Sequence, residues 1–166
     1  MLRALLDISK LDAGGLKPNK RDFSIDELLI ELEVDFSVIA ARKGISFRRV
    51  PCSLFTNSDR GLLLSVFQNL VSNAIRYTEQ GRVLIGCRRH GESVEIQVWD
   101  TGQGIPEANQ EEIFEEFKRL DNSSRDQGIG LGLAITRRIT DLLGHPLALG
   151  SSPGKGSVFR VSVPLV

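Results

Sequence analysis

The sequence predicts an α/β protein, a two-layer sandwich in which a mixed sheet carries helices packed on one face. Two observations lead there. Stretches such as Val83, Ile85, Cys87 and Val94, Ile96, Val98 alternate apolar with polar residues, as strands do when a sheet buries one face and leaves the other wet. Other segments repeat at helical spacing, with Leu28, Leu29, Leu32 and Phe36 in one and Leu131, Ile135 and Ile139 in another, each giving a single stripe to cover. Helices that all seek the apolar face of one sheet make two layers, with any ligand site between them.

The elements follow in order. Met1, Leu5, Ile8 and Leu11 keep helical spacing and stop at Gly14 and Gly15, which reads as the end of a longer helix whose stripe needs a partner. A short strand is expected around residues 16–23. Ser24 and Glu27 form a capping box for a helix to about Lys43, with Ile25, Leu28, Leu29, Leu32, Phe36 and Ile39 facing inward. Ile45 and Phe47 begin a strand. Asp59 is a good N-cap for a helix to about Tyr77, and Gly81 opens the strand of Val83, Ile85 and Cys87. A hairpin at His90 and Gly91 leads into Val94, Ile96 and Val98. A short helical turn is expected near residues 111–117, then a polar stretch without periodicity over residues 118–128. A third long helix uses Leu131, Ile135, Ile139 and Leu142 and ends on Gly144. Strands near residues 147–150 and 157–163 close the chain. The run Gly154, Lys155, Gly156, Ser157 is one residue short of a Walker loop, has Gly after the Lys and joins two strands, so it is read as a hairpin turn.

At 166 residues and 41% hydrophobic content the chain has the size of one domain with a real core. Its 21 basic and 21 acidic residues cancel, which removes any long-range field toward nucleic acid or an anionic membrane. Cys52 and Cys87 lack the spacing of a zinc knuckle or redox pair and are expected to be free thiols of a reducing cytosol. No stretch approaches the roughly 20 apolar residues of a membrane span, so a soluble segment is expected.

Three features carry chemistry. Ser65, Gln68, Asn69, Ser72, Asn73 and Arg76 share one polar arc of the second helix, where two Asn stand in place of better helix formers such as Lys or Glu. The arc is either a hydrophilic surface or a binding face. Asn69 and Asn73 lie one turn apart with their amide oxygens on the same side, and oxygen ligands suit Mg²⁺. Asp100 keeps the inward phase of Val94, Ile96 and Val98, so a carboxylate ends an apolar row and needs a partner. Gly102 and Gly104, with Ile105 beside them, either make a plain turn or let backbone approach a flat ligand whose amino group donates to that carboxylate. Gly128, Gly130, Leu131 and Gly132 open the third helix and fail the dinucleotide pattern; the glycines either let the helix pack tightly on the sheet or leave backbone N–H groups that attract phosphate. His90 and His145 have no nucleophilic partner and are read as structural, and no His, Cys and Asp cluster suggests zinc.

Taken together, NLVSNAIRYT from Asn69, DTGQGIP from Asp100, IFEEFKRL from Ile113 and GIGLGLAIT from Gly128 resemble, in order and spacing, the N, G1, F and G2 boxes of bacterial sensor histidine kinases. The opening LLDISKLDAG resembles the last turns of the dimerisation helix of that family, and SSPGKGSVFRVSVPL its final hairpin. The resemblance implies the Bergerat ATP-binding fold, with residues 1–14 ending the dimerisation helix, residues 15–166 forming the catalytic domain and a lid at about residues 118–128. It implies ATP and Mg²⁺ as cofactors, with Asn73 and Asn69 on the metal and Arg76 and Tyr77 on phosphate or ribose. Asp100 would accept from the adenine amino group between Gly102 and Gly104. Phe114 and Phe117 would anchor the lid, Arg119 or Arg125 would reach the γ-phosphate, and Gly128, Gly130 and Gly132 would form the hinge and phosphate cradle.

Gyrase and the heat-shock chaperones carry a Glu where this chain has Asn69, and an amide is no general base. The γ-phosphoryl is therefore expected to pass to a histidine on a phosphoacceptor domain, since no SHELRTP-like segment occurs here. The implied partners are that dimerisation domain, in a homodimeric parent, and a response regulator receiver domain, with no nucleic acid. The domain is expected in the cytoplasm, with membrane anchoring of the parent and the fragment's oligomeric state left open. A degenerate nucleotide-binding regulatory module and a self-sufficient ATPase of the same fold are the alternatives.

Overall fold

Side chains that alternate along a strand decide which face of a sheet can be buried. The computed structural model describes residues 14–118 and 130–166, so the helix expected around Met1, Leu5, Ile8 and Leu11 lies outside the described residues. The elements are β1 (Arg21–Ser24), α1 (Ile25–Lys43), β2 (Ser46–Arg49), β3 (Phe55–Ser58), α2 (Arg60–Arg76), β4 (Arg82–His90) and β5 (Ser93–Asp100), followed by α3 (Gly132–Leu143), β6 (Leu147–Ser152) and β7 (Gly156–Pro164). Between β5 and α3 two single 3-10 turns, Glu107–Asn109 and Glu112–Phe114, stand where one helical turn was expected.

The main sheet has five strands in the order β2-β4-β5-β7-β6, with β2 parallel to β4 and the other neighbours antiparallel. A second sheet pairs β1 with β3, and a bridge from Thr56 to Leu165 ties it to the end of the chain. Val83, Ile85, Val94, Ile96 and Val98 of the sheet bury against Leu63, Phe67, Leu70 and Val71 of α2 and Leu28, Leu29 and Leu32 of α1. The two-layer sandwich with helices on one face is thus the observed architecture.

The helix ends have identifiable causes. Asp59 Oδ1 accepts from Leu62 N at 3.0 Å and caps α2, while Oδ2 accepts from Asn19 N at 2.7 Å and pins the segment before β1. Helices α1 and α3 both stop on a left-handed glycine, Gly44 (φ 76°) and Gly144 (φ 71°). The next residue in each case, Ile45 or His145, donates its N–H back to the carbonyl of Ala40 or Thr140 and is itself buried.

Several expectations need correction. Ser24 makes no side-chain cap, because it pairs with Phe55 as the last residue of β1 and the start of α1 is held instead by Ile25 N donating to Leu54 O. The first strand is shorter than expected and begins at Arg21. Ile39 is 51% exposed and Ala40 takes the inward place, since over 19 residues the stripe drifts around the helix. Leu143, not Leu142, closes the buried face of α3.

Cys52 and Cys87 are joined in a disulfide with Cα atoms 6.5 Å apart, and are not free thiols. The parallel pairing of β2 with β4, continued by Val50 N donating to Ile85 O, carries the residues after β2 alongside β4. Two cysteines 35 residues apart are brought together by topology, which their spacing did not reveal.

Replacing Asp59 by Ala is expected to lower the urea midpoint by the equivalent of about 1 kcal/mol, the worth of a helix N-cap. Adding dithiothreitol to the oxidised domain should lower its unfolding free energy by about 2–4 kcal/mol. Identical denaturation curves with and without reductant would show that the crosslink is not formed in solution.

Candidate functional site

Where the last apolar row of β5 ends, the layers part and leave a cleft lined by Asn73 and Tyr77 of the α2 end, Asp100, Gly104 and Ile105 after β5, and Lys118 at one side. Its apolar walls are Ala74, Ile113, Leu133 and Phe159. An apolar slot with a few aimed polar groups is the usual form of a small-molecule site.

Asp100 occupies the floor. The pairing of β5 with β7 places it opposite Ser157, whose N–H donates to Asp100 Oδ1 at 3.2 Å, and Gly102 N donates to the same oxygen at 2.9 Å. Oδ2 has no hydrogen-bond partner in the protein among the described residues. Burial pushes the carboxyl above its ordinary value, and the two backbone N–H groups oppose that shift without cancelling it. The site therefore holds a carboxylate with one oxygen satisfied and one free to accept.

Two glycines around it have no substitute. A Cβ on Gly102 would stand 2.4 Å from the Tyr77 carbonyl oxygen and 3.0 Å from Asp100 Oδ1. Gly104, at φ 72°, would drive a Cβ to 2.0 Å from the Ser152 carbonyl oxygen. The turn is fastened by Ile105 N donating to Ser151 Oγ at 2.8 Å and Gly154 N donating to Gln103 O at 2.7 Å. The β6–β7 hairpin read from the sequence as a plain turn is thus part of the site's frame.

Asn69 and Asn73 lie on the α2 face that borders the cleft. Asn73 lines it, and Asn69 sits deeper beside the start of α3, where a Cβ on Gly132 would be 3.5 Å from Asn69 Oδ1. Neither carboxamide makes a hydrogen bond among the described residues, which distinguishes them from Gln68, bonded to Asp35. A pair of unused amide oxygens one turn apart is a donor set that fits a hard cation. Arg76 is not among the residues that line the cleft, and its backbone carbonyl accepts from Lys43 Nζ.

Phe114 packs edge-on against Phe159 with ring centroids 6.4 Å apart, and Arg137 stacks over it at 5.1 Å. It anchors the segment to the sheet. Phe117 does not line the cleft; it is 62% exposed, in a left-handed conformation (φ 62°) that an aromatic residue rarely adopts, and its N–H donates to Gly130 O at 3.0 Å. Gly130 (φ 75°) meets Phe117 so closely that a Cβ there would be 3.1 Å from its backbone, and Leu131 is buried at the start of α3. Arg119, Arg125 and Gly128 lie outside the described residues, as does nearly all of the stretch expected to form a lid.

Ser157, Gln103, Lys118 and Phe159 were not anticipated as site residues. Phe159 shares the inward phase of Val161 and Val163, and Ser157 stands two residues earlier in that phase, so extending the alternation would have found both. Lys118 is held by ion pairs with Glu112 and Glu115, and the Glu112 hydrogen bond raises its ammonium pKa. His145 is buried and shares a 2.7 Å hydrogen bond with Ser58 Oγ, in keeping with a structural role. No helix among the described residues is long and apolar enough to cross a membrane.

Residues 58–166 match the family described as histidine kinase-, DNA gyrase B-, and HSP90-like ATPase. The autoinducer 2 sensor kinase/phosphatase LuxQ of Vibrio vulnificus is 34% identical over 176 residues, covering 99% of this chain and 20% of LuxQ. The sensor-like histidine kinase SenX3 of Mycobacterium tuberculosis is 36% identical over 168 residues, covering 99% of this chain and 41% of SenX3. The chain thus spans less than half the length of these curated relatives. Full-length ShkA in complex with AMPPNP superposes with a TM-score of 0.88 at 28% identity, over 99% of this chain and 35% of that one. The catalytic domain of histidine kinase ThkA superposes at 0.75 with 31% identity, over 88% of this chain and 95% of that one. The family match over residues 58–166, with a superposition that spans nearly all of an isolated catalytic domain, places the chain in the histidine kinase, DNA gyrase B and HSP90-like ATPase family, as an ATP-binding catalytic domain of the sensor histidine kinase type.

Proposed function

We propose that this domain binds Mg·ATP in the cleft and donates its γ-phosphoryl to a histidine on the phosphoacceptor domain of a dimeric parent kinase, which then serves a response regulator receiver domain. The observation that carries the reading is Asp100: a buried carboxylate with Oδ1 engaged by two backbone N–H groups and Oδ2 unpartnered is shaped to accept from an exocyclic amino group such as that of adenine. Gly102 and Gly104 leave room for the flat base beside it, and Ile113, Leu133 and Phe159 give it apolar walls.

The phosphate end falls toward Asn73 and Asn69. Their carboxamide oxygens would hold Mg²⁺, which when bound neutralises charge on the polyphosphate. Tyr77 lines the same cleft and would contact ribose or phosphate, and Lys118 adds a cation to the lining. Asp100 is the one carboxylate lining the cleft among the described residues, and it is committed to the base. Among the described residues no other side chain lining the cleft offers a carboxylate to deprotonate water, which supports transfer to an external acceptor over hydrolysis. His145, buried against Ser58, cannot serve as that acceptor.

Because burial raises the folded-state pKa of Asp100, the native domain binds that proton more tightly than the unfolded chain does. Stability is then lost as pH rises from the unfolded to the folded pKa, and the empty domain carries a destabilising charge at neutral pH. Asp100→Asn should leave the nucleotide-free domain at least as stable as the parent at pH 7, with the difference fading as pH falls through the carboxylate range. The same variant should bind ATP about 10²-fold more weakly by calorimetry, the scale of a lost charge-assisted hydrogen bond. Near-normal affinity in the folded variant would overturn the assignment.

Incubation of the domain with γ-labelled ATP, Mg²⁺ and the separately produced phosphoacceptor domain should give acid-labile label on the acceptor alone. Phosphate release at the same rate without the acceptor would establish a self-sufficient ATPase. Tight ATP binding with neither product would establish a nucleotide-binding module.

A further inference from the structure

The sheet face turned away from the helices carries a second groove, whose lining shares only Asp100 with that of the nucleotide cleft. Register places Arg48 of β2 beside Leu84 of β4, Leu84 beside Trp99 of β5, and Trp99 beside Val158 of β7, so these outward side chains form one row across four strands. Trp99 is 45% exposed on that row. Its ring is fixed on two sides: Nε1 donates to Gln97 Oε1 at 2.9 Å, Gln97 Nε2 donates to Glu95 Oε2 at 2.9 Å, and the Arg160 guanidinium stacks over the ring at 5.8 Å. An indole held in place and left open to solvent is a preformed contact surface.

Around it cationic side chains outnumber the carboxylates of Glu95 and Asp100. Arg48, Arg82 and Lys155 line the groove, and none of their cationic groups has an ion pair or hydrogen bond among the described residues. That contrasts with Arg49, Arg60 and Arg137, each paired with a Glu or Asp. Asp100 borders the groove, yet its carboxylate is engaged through Oδ1 by Gly102 and Ser157 on the cleft side. In a chain whose formal charge is zero, this is a local excess of positive charge with an aromatic floor.

The cations are carried by three separate elements, Arg48 on β2, Arg82 at the start of β4 and Lys155 in the β6–β7 turn. A single phosphate needs convergent donors, and a bilayer surface needs a broader apolar area than one indole and Leu84. Carboxylates distributed along an extended segment, on either side of one apolar side chain, match the arrangement. We propose that this groove docks an acidic segment of a partner protein, with an aromatic or long aliphatic side chain against Trp99 and carboxylates on Arg48, Arg82 and Lys155. The groove shares β5 and the β6–β7 turn with the cleft but lies on the other side of the sheet, so the proposal stands independently of the phosphoryl-transfer reading.

Trp99 is the one tryptophan of the chain, so its emission reports on this groove alone. The intact domain is titrated with a synthetic peptide of Glu and Asp residues flanking a central Phe. A saturable change in Trp99 emission that weakens with added salt is expected, and Arg48→Glu/Arg82→Glu should raise the apparent Kd at least about tenfold while leaving ATP affinity unchanged. The neutral pair Arg48→Gln/Arg82→Gln gives the same reading if the charge reversals disturb folding. The proposal fails if the peptide gives no saturable change at millimolar concentration, or if both variants bind it as the parent does. It also fails if phosphatidylserine vesicles or a single-stranded oligonucleotide compete it away at lower concentration.

Discussion

One carboxylate at the end of an apolar row constrains the rest of the molecule. Asp100 continues the phase of Val94, Ile96 and Val98, and every feature around it answers the difficulty of keeping a charge there. The β5–β7 pairing supplies the Ser157 N–H, and a turn that only glycine can make supplies the N–H of Gly102. The close approach of Gly156 to the Asp100 carbonyl, where a Cβ would come within 2.0 Å, belongs to the same arrangement. What is left over, one unpartnered oxygen in an apolar slot, is the chemistry available for recognition.

The helices supply the other half by what they leave unsaid in their own packing. Helix α2 buries Leu63, Val66, Phe67, Leu70, Val71, Ala74 and Ile75 and turns its amides to the side. Gln68 spends its amide on Asp35, whereas Asn69 and Asn73 keep theirs free beside the glycine-rich start of α3. Amides that neither cap nor pair are poor choices for helix stability, and Asn73 places one of them in the lining of the cleft.

Much of this was legible from residue order because it rests on local chemistry. Strand alternation located the buried face and the inward phase of Asp100; Asp59, Gly44 and Gly144 marked helix ends through caps that involve neighbours in sequence. The four boxes located Asn73, Tyr77 and Gly104 on the cleft. What escaped depends on contacts between distant segments. The Cys52–Cys87 crosslink follows from a parallel pairing, the partner of Asp100 from the β5–β7 register, and the absent cap at Ser24 from its recruitment into β1. Ile39 misled because a stripe read at a fixed set of positions ignores its drift around a 19-residue helix, which brings Ala40 inward instead.

The bond from Phe117 N–H to the Gly130 carbonyl clasps the two ends of the intervening chain at the rim of the cleft. A clasp of that kind separates what lies inside it from what lies outside. The two flanking segments, the 3-10 turn carrying Phe114 and the first turn of α3, are thereby held in one fixed relation, which couples the packing of Phe114 on Phe159 to the placement of Leu131 and Leu133.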